Sequence, residues 1–191
     1  MQLKQAEIAD IDNVLKLHYR YHIDFISEED KQEGFVTTPF TKEQLIELVE
    51  EEKGLFIAVL DGNVVAYVMA ASWQFYSKWT MFAFMIENLP NLEYLGQKLN
   101  IHNSYQYGPI CIDKSVRGSG VLEKIFGYTQ KEMSKRYPIL VTFINKINIR
   151  SYQAHTKKLG LEVIAEFDYN NNHYYELAFD TAKGLNSTQK E

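Results

Sequence analysis

The sequence holds a single cysteine, Cys111, so no bridge can close within the chain and a disulfide-stapled scaffold is excluded. Four prolines and ten glycines are too few for a collagen-like or low-complexity chain. No apolar run approaches the roughly 20 residues that span a bilayer, so no membrane partner is expected. The start, Met1, Gln2, Leu3 and Lys4, lacks the basic-then-apolar order of a signal peptide. A reducing, cytoplasmic setting is the expectation. Cations are also in deficit, with 20 Lys and Arg against 25 Asp and Glu, a net charge of −5 and a pI of about 5.6. That balance argues against nucleic acid as the main partner. Hydrophobic residues at 46% and charged residues at 24% are those of an ordinary globular chain. With neither repeat nor linker, residues 1–180 read as one domain with an aromatic-rich insertion at about 73–104, followed by a flexible polar tail at 181–191.

Periodicity orders the elements. Ile8, Ile11, Val14, Leu15, His18 and Tyr21 recur at helical spacing behind Glu7, Asp10 and Asp12, which suit a helix start. Residues 2–6 before them are short enough for an edge strand. Thr41 and Gln44 stand in capping-box spacing ahead of a second helix. Residues 55–60 and 63–70 are apolar and β-branched, and Asp61-Gly62 between them predicts a hairpin. Residues 73–107 hold nine of the chain's aromatic residues, and residues 81–86 and 92–99 read as one or two short helices. The strand over residues 105–112 carries Gly108-Pro109 in its middle. Proline cannot donate to a ladder, so the strand should part from a neighbour there. A further strand at residues 139–144, a helix capped by Asn148 and a hairpin turning at residues 170–172 complete the order.

Between the broken strand and the next helix stand Arg117, Gly118, Ser119 and Gly120. A strand that feeds a helix through two glycines presents main-chain N–H groups at the positive end of a helix dipole, which suits an anion. A nucleotide P-loop would need Gly-Lys-Ser/Thr, and the sequence has Gly120-Val121-Leu122; a dinucleotide fingerprint would need a third glycine where Glu123 stands. The plain alternative is a strand-to-helix turn that holds no ligand.

The element order together with Arg117, Gly120 and Leu122, and with Asn148, Ser151, His155, Lys158, Leu159 and Gly160, resembles the GNAT family of acetyl-CoA-dependent N-acetyltransferases over residues 3–179. Leu122 departs from the family's Gly or Ala, and Lys114 stands where the family often has proline. His155 replaces the usual tyrosine. The resemblance implies an α/β (α+β) fold with a central, mostly antiparallel twisted sheet of about seven strands, one splayed strand pair and flanking helices. It implies acetyl-CoA as co-substrate and no metal. It gives the diphosphate to the backbone of Arg117, Gly118, Ser119, Gly120, Val121 and Leu122, and the pantetheine arm to the edge of Ile110, Cys111 and Ile112. Asn148 and Ser151 would touch the arm, and Asn148 serves equally as a plain helix cap.

Acetyl transfer to an amine needs a neutral nitrogen, a polarised carbonyl and an acid for the leaving thiolate. A lysine-like amine is neutral in only about one molecule in 2,500 at pH 7, so burial or a base must help. Asp113 and Glu87 are the candidate bases; otherwise both are solvated acids. His155 stands where the family tyrosine is taken to protonate the sulfur, with Tyr152, Tyr105 or Tyr107 as substitutes; its alternative is a helix histidine bonded to a carbonyl. Trp73, Phe75, Tyr105 and Tyr107 are candidates for the wall of an acceptor pocket, against core packing or a homodimer contact. Cys111 reads as a small buried hydrophobe, and His18 and His22 lack a third ligand for a metal. The expected partner is a small-molecule or peptide amine. The rival from another class is a non-catalytic CoA-binding sensor or interaction module on the same fold.

Overall fold

The computed structural model describes residues 1–31 and 34–184. In chain order the elements are β1 (Gln2–Gln5), α1 (Ile11–Tyr21), α2 (Glu28–Lys31), α3 (Lys42–Glu50), β2 (Leu55–Leu60), β3 (Asn63–Ala71), α4 (Trp73–Tyr76), α5 (Thr80–Asn88), β4 (Glu93–Tyr94), β5 (Gln97–Lys98), β6 (Ser104–Ile112), α6 (Val121–Met133), β7 (Ile139–Asn145), α7 (Ile149–Gln153), β8 (Glu162–Tyr169) and β9 (Asn172–Asp180). Seven strands form a sheet in the order β1-β2-β3-β6-β7-β9-β8, antiparallel except for the parallel β6–β7 pair among the pairings described. No helix among the described residues is long and apolar enough to cross a membrane.

The chain divides into two compact units. The first comprises Met1–Ala70 and Gly108–Thr129, the second Ala71–Tyr107 and the chain from Gln130 onward. In the first, Ile11, Val14, Leu17, His18 and Tyr21 form the buried stripe of α1; of the other positions read in the sequence, Leu15 is half-buried and Ile8, ahead of the helix, is exposed. Thr41 Oγ1 accepts the N–H of Gln44 at 3.3 Å while Gln44 Oε1 accepts that of Thr41 at 2.9 Å, so the capping box starts α3 as expected. The β2–β3 hairpin turns at Asp61-Gly62, where both residues take the positive φ of a type I′ turn. β1 lies at one edge of the sheet, as expected, and β8 at the other.

In the second unit the rings of residues 73–107 build core. Trp73, Phe75, Tyr76, Phe82, Tyr105 and Tyr107 are all buried. Residues 92–99, read as helical, are instead the small β4–β5 hairpin, and the reason lies at its turn: Leu95 and Gly96 both take positive φ, a conformation that leucine rarely accepts and that helical spacing of leucines conceals. The end of β9 is also tied more firmly than a frayed tail. Thr181 donates its N–H to Pro138 O at 3.0 Å and its hydroxyl to Tyr137 O at 2.8 Å. Residues 185–191 of the expected tail lie outside the described residues.

Pro109 does what its chemistry requires. β6 pairs with β7 from Ser104 opposite Ile139 to Gln106 opposite Val141. At the next step the Tyr107 carbonyl is met by side chains, accepting from Thr142 Oγ1 at 2.6 Å and Gln106 Nε2 at 2.9 Å. Beyond Ile112, Asp113 donates its N–H to Val65 O of β3 at 2.8 Å.

Candidate functional site

In the first unit the end of β6 runs through a short 3₁₀ turn, Lys114–Val116, into the glycine loop and α6. Asp113 caps that turn, accepting the N–H of Ser115 at 2.9 Å and its hydroxyl at 2.7 Å. The same carboxylate meets Arg20 Nη1 at 2.6 Å. Burial alone would raise its pKa, but the two Ser115 donors and Arg20 outweigh it and hold the carboxyl below its ordinary range. A carboxylate so occupied is a clamp for the turn. Arg20 and Asp113 also line an open cleft of about 340 Å³ between α1 and the β2–β3 turn.

The loop itself leaves its amides open. Arg117 Nε donates to Ile112 O at 3.0 Å and its guanidinium lies 5.0 Å over the Tyr21 ring, so this side chain braces the loop against β6 and α1. Ser119 Oγ donates to Val116 O at 2.6 Å. Gly118 and Gly120 have φ of 80° and 78°, and a Cβ on either would meet nothing within 4 Å. The glycines are there for backbone conformation and leave open space beside them. Among the described residues the N–H groups of Gly118, Gly120, Val121 and Leu122 find no acceptor, and the first helical bond of α6 is Lys124 N–H to Gly120 O at 3.2 Å. Four open amides at a helix start can clasp an oxyanion. Leu122 is half-buried at this end of α6.

Next to the loop, Ile110 and Ile112 are half-buried and Cys111 is buried, its thiol pushed up to about 12 chiefly by burial. Such a thiol stays protonated near neutrality and packs as a small hydrophobe. His18 is likewise part of a polar core. Its Nδ1 lies 2.7 Å from Tyr67 Oη, and burial, then His22, lowers its pKa to about 4.

In the second unit Asn148 caps α7, its Oδ1 accepting the N–H of Ser151 at 3.2 Å. α7 then widens into a π turn, Ala154–Lys158, that carries His155. This ring is only 4% exposed and its Nδ1 lies 2.8 Å from Ser151 O. A carbonyl can only accept, so Nδ1 carries the proton and Nε2 is the bare nitrogen. Burial lowers the pKa, which keeps the ring neutral. The Tyr107 ring meets His155 edge-on at 6.0 Å, while the Tyr152 ring lies 4.6 Å from that of Tyr175.

Of the four rings read as pocket candidates, Trp73 bonds Ser104 Oγ through Nε1 at 2.9 Å, Phe75 packs on Tyr76, Tyr105 Oη accepts from Gln130 Nε2 at 2.9 Å, and Tyr107 is fully buried. All four are buried. Glu87 is exposed on α5. One group escaped the sequence reading altogether: Glu176 on β9 is 1% exposed, its Oε1 has no partner, and burial raises its pKa to about 7. In sequence it stands between the apolar Tyr175 and Leu177, as an outward-facing strand residue would, so no signal marked it as buried.

No protein-family model matches the sequence, and no curated protein matches it. Solved structures do. An N-acetyltransferase from Staphylococcus aureus Mu50 is 17% identical, with a TM-score of 0.59 over 94% of this chain and 98% of that one. The ribosomal-protein-alanine N-acetyltransferase of Brucella melitensis is 14% identical, with a TM-score of 0.62 over 94% and 99%. YncA from Salmonella typhimurium, solved with its cofactor acetyl-CoA, is 11% identical, with a TM-score of 0.63 over 94% and 93%. The seven-stranded, mostly antiparallel sheet with its flanking helices is thus that of the GNAT fold, and this chain has that fold.

Proposed function

We propose that the protein is an acetyl-CoA-dependent N-acetyltransferase that acylates a primary amine by direct attack in a ternary complex. The observation that carries this reading is the succession along β6 and the loop behind it. Main-chain groups of Ile110, Cys111 and Ile112 suit an amide-bearing arm, and the four open amides of residues 118–122 suit a diphosphate. Acetyl-CoA supplies the activated acyl group. The chain supplies the cradle for the phosphates, with Arg117 beside it, and a half-buried strand edge. Backbone N–H groups of the same edge would polarise the thioester carbonyl. Likeness to a ribosomal-protein-alanine N-acetyltransferase supports an amine as acceptor.

The resemblance assigns Asn148 and Ser151 to the pantetheine arm and His155 to proton donation. A neutral His155 with Nδ1–H on a carbonyl has to gain a proton at Nε2 before it can give one, so that role predicts turnover falling as pH rises. The sensor reading gains from the same fact, since a buried neutral imidazole is a poor acid at rest. Thiol release from acetyl-CoA with a panel of peptides, polyamines, amino acids and aminoglycosides decides between them. Turnover with any amine establishes the enzyme, and tight CoA binding without turnover establishes the sensor.

A further inference from the structure

On one face of the sheet within the second unit, two hydrogen-bond acceptors are buried without donors. Gln106 and Glu176 are each 1% exposed and the Oε1 of each has no partner. The register places them on the same face. Gln106 is opposite Val141, Val141 is opposite Ala178, and Glu176 follows two residues away along β9. A layer made by α4, α5 and the β4–β5 hairpin covers this face. Trp73 bonds Ser104, the Phe82 ring lies 5.6 Å from that of Phe143, and Tyr94 Oη donates to Glu162 at 2.7 Å.

Glu176 lies directly opposite Phe143 on β7 and Ala165 on β8. β8 is the edge strand, its ladder shifts between Val163 and Ala165, and Ala165 is half-exposed. The residue opposite Glu176 on the edge strand is thus an alanine, whose side chain is one methyl group. The charged groups of neighbouring strands are already engaged. Glu162 is held by Tyr94 and Lys183, and Lys146 by Glu166. Tyr174, the next residue on this face, is a phenol whose pKa burial raises further. Among the described residues no Lys, Arg or His pairs with Glu176.

Unmet acceptors beneath aromatic rings select for charge and for N–H donors together. An anion would meet repulsion, and an apolar group would leave the oxygens unmet. An alkylammonium offers N–H donors to the carboxylate and positive charge beside the Phe143 ring opposite it. We propose that Glu176, with Gln106 on the same face, binds the primary ammonium group of a slender amine that enters over Ala165 at the β8 edge. This deepens the acetyltransferase reading by giving its amine acceptor a binding residue, and rests on that reading only for the amine's later fate.

The test uses n-butylammonium chloride as probe, followed by thermal shift and calorimetry at pH 8 on the full chain, with 1-butanol as the neutral control. The expected result is saturable binding of butylammonium with a midpoint rise of about 3 °C at tenfold over Kd, and none with butanol. Glu176→Gln, a neutral isostere, should lower the affinity at least tenfold; Gln106→Leu should lower it less, and Ala165→Leu should block entry. An equal response in wild type and Glu176→Gln, or no response in wild type, overturns the proposal; unchanged affinity in Ala165→Leu overturns the route. CoA affinity is measured on the same samples. Its absence would remove the acetyltransferase reading without touching the amine result.

Discussion

The hydroxyl of Tyr21 accepts the main-chain N–H of Lys114 at 2.8 Å, across 93 residues of sequence. The same ring lies under the Arg117 guanidinium, and its neighbour Arg20 holds Asp113. The last turn of α1 is therefore what fixes the start of the glycine loop. Tyr21→Phe keeps the ring and removes the acceptor, leaving a Lys114 N–H unpaired at a cost of about 1 kcal/mol. Chemical denaturation should read that loss. CoA affinity should fall by roughly three- to tenfold as the loop loosens, and unaltered affinity would separate α1 from the loop.

Gly120→Glu should abolish CoA binding, because it sets a carboxylate among amides that await an anion. The positive φ at this residue adds a strain of about 1 kcal/mol for any side chain, so Gly120→Ala serves as the control for fold. Calorimetry should show measurable CoA binding in the alanine variant and none in the glutamate variant. Equal affinities in the two would remove charge from the account.

His155→Phe should spare CoA affinity and lower turnover. It also tests acid stability. The buried imidazole has its folded pKa below the unfolded value, so the unfolded chain binds the extra proton first as pH falls through about 6.5, and stability drops. Phenylalanine removes that dependence. Urea midpoints measured from pH 7.5 to 5 should fall less steeply in the variant than in wild type.

Glu176 carries the opposite sign. Its folded pKa of about 7 lies above the unfolded carboxylate value, so the cost of ionising it in the interior appears as pH rises from about 4.5 through 7. At pH 8, Glu176→Gln should exceed wild type in stability by on the order of 3 kcal/mol, and the gap should close toward pH 4.5. A constant difference across that range would mean the carboxyl is already charged in the fold.

Much of this architecture could be read from local chemistry. Asp61-Gly62 announced the first hairpin, Thr41 and Gln44 the start of α3, and Pro109 the break in β6, because each acts on the backbone within a few residues. What escaped depends on distant partners or on unusual conformations. Leu95 turns a hairpin against its own preference, the π turn around His155 has no spacing signature, and Glu176 differs from any outward-facing strand glutamate only in what covers it. The roles of Arg20 and Tyr21 were hidden for the same reason: their partners lie 93 residues further along the chain.

Titrating coenzyme A into the folded chain by calorimetry probes the open amides of Gly118, Gly120, Val121 and Leu122 most directly. The account predicts one saturable site in the micromolar range, lost in Gly120→Glu while far-UV circular dichroism is unchanged. No heat of binding at millimolar coenzyme A, from protein that is demonstrably folded, would contradict it.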